Sequence, residues 1–130
     1  MNTLNILLIE PDRLLGSIYV STLENAGYCV VHCLTADTAI SALDAERVDI
    51  VILELQIALH NGVEFLYEMR SYDEWQHIPI IMHTIIDERR LLHSVDLKKQ
   101  LYATTYLYKP ETTLQQLLNT VRSVSVQTPA

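Results

Sequence analysis

Basic residues are scarce in this chain of 130 residues: nine Lys and Arg stand against sixteen Asp and Glu, giving a formal net charge of -7. A domain with this balance is poorly suited to hold a nucleic-acid backbone by itself, so we expect no direct nucleic-acid partner. Long apolar runs are absent too, and none approaches the roughly 20 residues that a membrane-spanning helix needs. The residues after Met1 include no basic and apolar stretch of the secretory kind. We therefore expect a cytoplasmic protein without a membrane segment.

Cysteine and glycine are also rare, with two and three copies. Cys29 and Cys33 flank His32, but this spacing matches no standard zinc pattern, and we interpret both cysteines as small buried hydrophobic residues. No stretch is rich in glycine, and the first predicted loop, Glu10-Pro11-Asp12, lacks the free N–H groups that a phosphate cradle uses. A flavodoxin-like cofactor binder is therefore the least favoured function, and we expect no bound cofactor and no enzymatic activity.

Apolar residues make up 49% of the chain, which is enough for one folded domain with a substantial core. Strand and helix patterns alternate from residue 4 onward. The strands are predicted at Leu4–Ile9, Tyr28–Leu34, Ile50–Leu53, Ile78–Met82 and Thr105–Tyr108. Helices are predicted between them, one of them from Asp87 to about Tyr102, and a last helix carries Leu114, Leu117, Leu118 and Val121 on one face. We expect a domain over residues 1–123 and a flexible tail or linker over 124–130.

This alternation predicts an α/β fold: a doubly wound, five-stranded parallel sheet with helices on both faces. Ile50–Leu53 is a continuous apolar run and is the best candidate for a central strand covered on both sides. Gly27 is expected to end the first helix, and Gly62 to supply a positive φ before the third. A purely structural alternative for Pro11 is the first residue of the first helix.

Polar side chains follow four of the predicted strands. Because the carboxyl ends of parallel strands meet at one edge of the sheet, we expect these side chains to form one site. They are Glu10, Asp12, Glu54, Thr84 and Lys109.

Four segments, taken together and in order, resemble the receiver domain of bacterial response regulators in two-component signalling. They are I-L-L-I-E-P-D from Ile6, D-I-V-I-L-E from Asp49 with a later N-G, P-I-I-M-H-T from Pro79, and Y-L-Y-K-P from Tyr106. The resemblance extends from Leu4 to about Arg122. It implies the flavodoxin-like receiver topology and transfer of a phosphoryl group from a histidine kinase to an aspartate after the third strand.

The resemblance also implies roles for single residues. Thr84 and Lys109 stand where the family contacts phosphoryl oxygens, Tyr106 where an aromatic side chain rotates on switching, and Glu10 where the first of two acids helps to hold Mg²⁺. Two positions depart from the family pattern. The phosphoacceptor position holds Glu54 instead of Asp, and the second acid position holds Pro11, with Asp12 one residue further on.

These departures predict an atypical, degenerate receiver. Glu54 moves its carboxylate out by roughly 1.5 Å, one carbon–carbon bond, and misplacement by about 1 Å can lower a rate on the order of 100-fold. Pro11 supplies no ligand, so we expect no metal or, at most, weakly bound Mg²⁺. If a metal binds, the candidate ligands are Glu10, Asp12, Glu54 and Gln56.

Lys109 is the natural counter-charge for Glu54, and an ion pair between them would hold the site in one fixed state, either switched or resting. The leading hypothesis is a pseudo-receiver that regulates by protein–protein interaction without phosphorylation. The alternative is a working phosphorelay receiver that uses Glu54 or Asp12. Expected partners are a histidine kinase, a phosphotransfer protein or an output domain. A homodimer is possible through the face formed by the predicted fourth helix, fifth strand and fifth helix.

Overall fold

The computed structural model describes residues 3–57, 62–90 and 104–127. Five parallel strands form one sheet in the order β2-β1-β3-β4-β5. This order confirms the predicted doubly wound fold, with β3 in the centre. The strands are β1 (Asn5–Ile9), β2 (Cys29–Cys33), β3 (Ile50–Leu53), β4 (Ile80–Thr84) and β5 (Thr104–Tyr108).

Helices follow the strands along the described part of the chain. They are α1 (Arg13–Asn25), α2 (Ala36–Ala45), α3 (Gly62–Arg70) and a last helix, Leu114–Gln127, called the C-terminal helix below. Two short 3-10 helices lie at Asp73–Trp75 and Lys109–Glu111. Of the helix predicted from Asp87 to about Tyr102, residues 88–90 are helical and residues 91–103 lie outside the described part.

Each face of the sheet carries its own hydrophobic cluster, because successive side chains of a strand point to opposite faces. Leu7, Ile9, Val51 and Leu53 pack with α2 and α3 in the first cluster. Their neighbours Ile6, Leu8, Ile50 and Ile52 pack with α1 and the C-terminal helix in the second. Both faces of β3 are therefore buried, as the continuous apolar run predicted.

Helix α1 has a defined cap at each end. At its start Asp12 is the N-cap, and its Oδ1 accepts a hydrogen bond from Leu15 N at 2.9 Å. Pro11 therefore lies before the cap, and the alternative that it is the first helical residue is wrong, because the Asp12 side chain begins the helix two residues later. At the other end Gly27 has φ +98°, as expected for the residue that ends a helix in a left-handed turn.

Gly62 serves a different purpose from the one predicted. Its φ is not positive, but a Cβ at this position would lie 2.5 Å from Leu55 Cα. Its N–H donates to Leu55 O at 2.6 Å. Close approach of α3 to the backbone after β3, rather than a left-handed turn, requires glycine here.

The C-terminal helix continues past the predicted domain end at residue 123. Val124 is 9% exposed and belongs to the second hydrophobic cluster with Leu117 and Val121, whereas Val126 is 87% exposed. Spacings of four and three residues put the three buried side chains on one helix face. Residues 124–127 are thus helical, which corrects the expected flexible segment, and 128–130 lie outside the described part. No helix in the described ranges has the length and apolarity to cross a membrane.

Candidate functional site

The carboxyl ends of β1, β3, β4 and β5 bring four polar side chains together. Ile9 at the end of β1 pairs with Leu53 at the end of β3, so Glu10 and Glu54, the next residues, leave the sheet side by side. Thr84 ends β4 beside Tyr108, and Lys109 follows it. Glu10, Glu54 and Thr84 are 2%, 3% and 0% exposed. Buried carboxylates need hydrogen bonds or counter-charges.

The Glu54 carboxylate is fully hydrogen-bonded. Its Oε1 accepts from Lys109 Nζ at 2.7 Å and from the Ile85 backbone N–H at 3.1 Å. Its Oε2 accepts from the Gln56 backbone N–H at 3.0 Å and from the Thr84 hydroxyl. A carboxylate has about four acceptor positions, so these four donors use all of them.

Lys109 joins the two buried carboxylates. Its Nζ lies 2.6 Å from Glu10 Oε1 and 2.7 Å from Glu54 Oε1, which confirms the predicted ion pair between Lys109 and Glu54. Burial alone would lower the pKa of Lys109, but the hydrogen bonds to Glu10 and Glu54 outweigh it and raise the pKa above its ordinary value. The ammonium therefore stays charged inside the site.

The candidate metal-ligand positions Asp12 and Gln56 make other contacts, and Pro11 has no ligand group. The exposed Asp12 carboxylate caps α1, and its backbone N–H donates to Glu10 Oε2 at 3.1 Å. Gln56 is exposed and contributes its backbone N–H to Glu54. Within residues 3–57, 62–90 and 104–127, no group of three or more His, Cys, Asp or Glu side chains is placed to hold a metal ion. Mg²⁺ is usually held by one or two carboxylates together with several waters, and both oxygens of Glu10 and of Glu54 already accept hydrogen bonds from protein donors.

Tyr106 lies on β5 and packs against the first hydrophobic cluster. Its hydroxyl is buried without a hydrogen-bond partner among the described residues. Burial raises the pKa of Tyr106 to about 12, and the charges of Glu88, Asp87 and Glu54 act in the same direction. The phenol is thus a neutral, inward-facing group.

His83 and Tyr19 pack together on the opposite face of the sheet. Their rings meet edge to face with centroids 5.0 Å apart, and His83 is 3% exposed. Burial, helped by the charge of Lys109, lowers the pKa of His83 to about 4, against a smaller opposing effect of Glu54. Since successive side chains of a strand alternate between faces, His83 points away from Thr84. No sequence signal indicated this contact for Tyr19, because its position on α1 predicts only an inner helix face.

The Cys29–Cys33 segment does not form a ligand site. Cys33 is buried as predicted, but Cys29 is exposed, because β2 is an edge strand. His32 donates from Nε2 to the backbone carbonyl of Glu10 at 2.8 Å, in contact with α1 at Gly16. These contacts give His32 a structural role beside the site.

A groove of about 430 Å³ runs between β5 and the C-terminal helix. Strand β5 contributes two tyrosines and a leucine to its lining, and the residues after β5 contribute one glutamate together with amide and hydroxyl side chains. Its lining residues are Tyr106, Leu107, Tyr108, Glu111, Thr112, Gln116, Asn119 and Thr120. The groove belongs to the face predicted for a homodimer, although Tyr102 and most of the predicted fourth helix lie outside the described residues.

The chain is similar in sequence to curated bacterial regulatory proteins. The chain is 29% identical over 123 residues to the alginate biosynthesis transcriptional regulatory protein AlgB of Pseudomonas putida, and the match covers 94% of this chain and 26% of AlgB. It is 22% identical over 123 residues to the polar-differentiation response regulator DivK of Brucella anthropi, with 92% and 94% covered. The chain spans about a quarter of the length of the AlgB proteins that it matches.

Solved structures share the fold. The chemotaxis response regulator CheY4 of Vibrio cholerae is 24% identical, with a TM-score of 0.83 over 95% of this chain and 99% of CheY4. The response regulator TrrA of Thermotoga maritima, solved with Mg²⁺ and beryllofluoride, is 20% identical with a TM-score of 0.77 over 94% and 99%. Residues 6–122 match the family described as the response regulator receiver domain. The chain therefore belongs to that family, the receiver domains of two-component signalling.

Proposed function

We propose that this chain is an atypical receiver that acts by binding protein partners and does not depend on phosphorylation of Glu54. The observation that carries the proposal is the saturation of the Glu54 carboxylate by four donors. A carboxylate attacks phosphorus with a free lone pair, and each Glu54 oxygen already accepts two hydrogen bonds.

The same contacts occupy the groups that would bind the incoming phosphoryl. Thr84 and Lys109, which the family uses on phosphoryl oxygens, both donate to Glu54. Phosphoryl transfer depends on positioning and on neutralising charge at the transferred group. With both donors engaged by Glu54, neither contribution is available.

Metal binding is proposed to be weak for a related reason. Pro11 brings no carboxylate, Asp12 caps α1, and both Glu10 oxygens already accept hydrogen bonds. We propose that Mg²⁺ binds weakly at most, that no other cofactor is needed, and that the module is a binding protein and not an enzyme.

Partners are proposed from the family. A histidine kinase, a phosphotransfer protein or an output domain fits a receiver module, and relatives such as AlgB are named transcriptional regulatory proteins. The groove between β5 and the C-terminal helix is the proposed contact surface, for such a partner or for a second copy of this chain.

The test is incubation of the purified chain with Mg²⁺ and acetyl phosphate, followed by intact-mass analysis. We expect the wild type to gain no phosphoryl group. The double variant Glu54→Asp with Pro11→Asp is the matched control, because it restores an acid of the usual length and the second acid. We expect this variant to gain one phosphoryl group in a Mg²⁺-dependent reaction.

A phosphoryl group retained on the wild type would overturn the proposal in favour of a working phosphorelay receiver. Fragmentation of the labelled protein would then distinguish Glu54 from Asp12, which is the exposed acid at this edge of the sheet.

A further inference from the structure

We propose that strand β2 pairs with β2 of a second copy of this chain, antiparallel and about a two-fold axis at Val31. β2 is one edge of the sheet, and β5, which carries the groove, is the other. A contact through β2 therefore does not compete with a contact through the groove. This inference goes beyond the proposed function, since neither a signalling partner nor the state of Glu54 enters it.

Strand β2 bonds to β1 through every second residue. Cys29 N donates to Leu4 O at 3.0 Å, and Cys33 O accepts from Glu10 N at 3.1 Å. The register between the two strands is regular over the whole length of β2. In such a ladder the residues between the bonded positions direct their backbone groups to the other side of the strand.

Val30 and His32 are the residues of β2 whose backbone groups face outward. Together they present two N–H donors and two C=O acceptors on a side where the described part of the sheet has no further strand. Backbone donors and acceptors are strong hydrogen-bonding groups. A row of them along the edge of a sheet is a template for pairing with a strand of another chain.

The spacing of these outward groups suits pairing of β2 with itself. With the axis at Val31, Val30 lies opposite His32 of the second copy, and the two residues exchange two backbone hydrogen bonds. Symmetry repeats this pair, so all the outward groups of both strands are satisfied. An axis at Val30 would instead place His32 opposite Tyr28, whose N–H already donates to Leu23 O at 3.2 Å.

The side chains of β2 fit the same register. Val31 is 38% exposed, and on the axis it faces Val31 of the second copy in a pair without hydrogen bonds, where side chains lie closest. Charged side chains commonly protect the edge of a sheet from such pairing, and the segment Cys29–Cys33 contains no Asp, Glu, Lys or Arg. In a chain with a net charge of -7, an uncharged edge is well suited to meet a copy of itself.

The experiment places a cysteine on the axis, because a short strand pair is a weak contact that a covalent bond can trap. The variant is Val31→Cys in a Cys29→Ser background. Opposed residues of this kind of pair have Cα atoms about 4.5 Å apart, a separation that a disulfide spans. Oxidised glutathione is the oxidant: it takes up the two electrons and two protons that the thiols lose. Non-reducing electrophoresis then measures the rate at which covalent dimer forms.

Ser71→Cys in the same background is the matched control, because Ser71 is exposed and follows α3, away from β2. Cys33 is buried and is common to both proteins. We expect Val31→Cys to cross-link at least about tenfold faster than Ser71→Cys, since pairing raises the effective concentration of the two thiols. Equal rates in the two proteins would overturn the inference.

Val30→Pro, added to Val31→Cys, tests the hydrogen-bond register. The Val30 N–H faces away from β1, so proline removes an outward donor without removing a bond within the sheet. We expect the cross-linking rate to fall to that of Ser71→Cys. A rate that Val30→Pro leaves unchanged would show that the contact does not use the outward backbone groups, and the proposed pairing would be wrong.

Hydrogen exchange of the wild type decides the question if a variant does not fold. The Val30 and His32 amides are expected to exchange more slowly as the protein concentration rises, because pairing covers them. Exchange at both amides that is independent of concentration would refute the contact.

Discussion

The Glu54 carboxyl group is accommodated in a position that is 3% exposed because four donors replace the water it has lost. The length of the Glu54 side chain makes these four hydrogen bonds possible. An aspartate would end roughly 1.5 Å shorter, by one carbon–carbon bond, and donors now at 2.7 to 3.1 Å would lie beyond hydrogen-bonding distance. The single extra methylene is thus enough to bring the acid into contact with Thr84 and Lys109.

His83 makes the stability of the fold depend on pH. Its pKa is about 4 in the folded protein, lowered mainly by burial, and about 6.5 when unfolded. Below pH 6.5 the unfolded chain binds a proton that the folded chain does not. The free energy of unfolding is therefore expected to fall by about 3 kcal/mol between pH 6.5 and pH 4, and no further on this account below pH 4. Urea denaturation at a series of pH values measures this slope.

The variant His83→Gln should remove this contribution to the slope whatever its effect on absolute stability. His77→Gln is the control, because His77 is an exposed histidine on the connection before β4. Carboxyl groups contribute to the pH dependence of unfolding in all three proteins. The difference between the slopes therefore isolates the contribution of His83. Equal slopes in wild type and His83→Gln would show that the Tyr19–His83 packing does not exclude the charged imidazole.

At the scale of the elements, two glycines are needed for opposite physical reasons. Gly27 ends α1 with φ +98°, and a Cβ added there would have nothing within 4 Å, so only backbone strain opposes substitution. Alanine there should cost roughly 1–2 kcal/mol, and asparagine less, since it tolerates the left-handed region. At Gly62 a Cβ meets Leu55 Cα at 2.5 Å. Alanine should cost about 1–3 kcal/mol through overpacking, and the larger asparagine more.

Urea denaturation midpoints of the four variants test this reversed order. At position 27 the asparagine variant should be more stable than the alanine variant, and at position 62 the alanine variant should be the more stable one. If asparagine is also the better residue at 62, the positive φ predicted from sequence is the correct explanation of Gly62.

The elements were predictable where one apolar pattern decides them. The run Ile50–Leu53 identified the central strand, and the residues after the strands identified Glu10, Glu54, Thr84 and Lys109 as neighbours. Contacts made by the backbone were not predictable. No sequence pattern indicates that Gln56 and Ile85 direct their N–H groups at Glu54.

The roles of Pro11 and Asp12 show a second limit of prediction from the sequence. Both suit the start of a helix, and only the bond from Leu15 N to Asp12 Oδ1 decides which of them caps α1. The same bond engages the Asp12 carboxylate in the cap of α1, so the role of a candidate metal ligand depends on local cap geometry that residue types leave open.

At the scale of the whole molecule, the charged site and the groove are two separate surfaces joined by β5. Lys109 follows the strand and is held inside the site, whereas Tyr108, Glu111 and Thr112 line the groove. A fixed anion at the strand ends therefore also fixes the end of β5 on which the groove is built. With a net charge of -7, the chain is best matched by partners that offset its acidity or by contacts that avoid its charged residues.

Apart from Glu111, the groove is lined by uncharged side chains, which suit the second kind of contact, and we expect the chain to form a two-fold symmetric dimer through it. Sedimentation velocity over a range of concentrations measures the dimer dissociation constant. Asn119→Arg places two like charges in the groove contact and should weaken the dimer by at least about tenfold, because like-charge juxtaposition costs several kcal/mol. Ser41→Arg adds the same charge on α2, which packs on the opposite face of the sheet, and should leave the constant unchanged. A wild type that stays monomeric, or an equal effect of the two arginines, would assign the groove to a different partner.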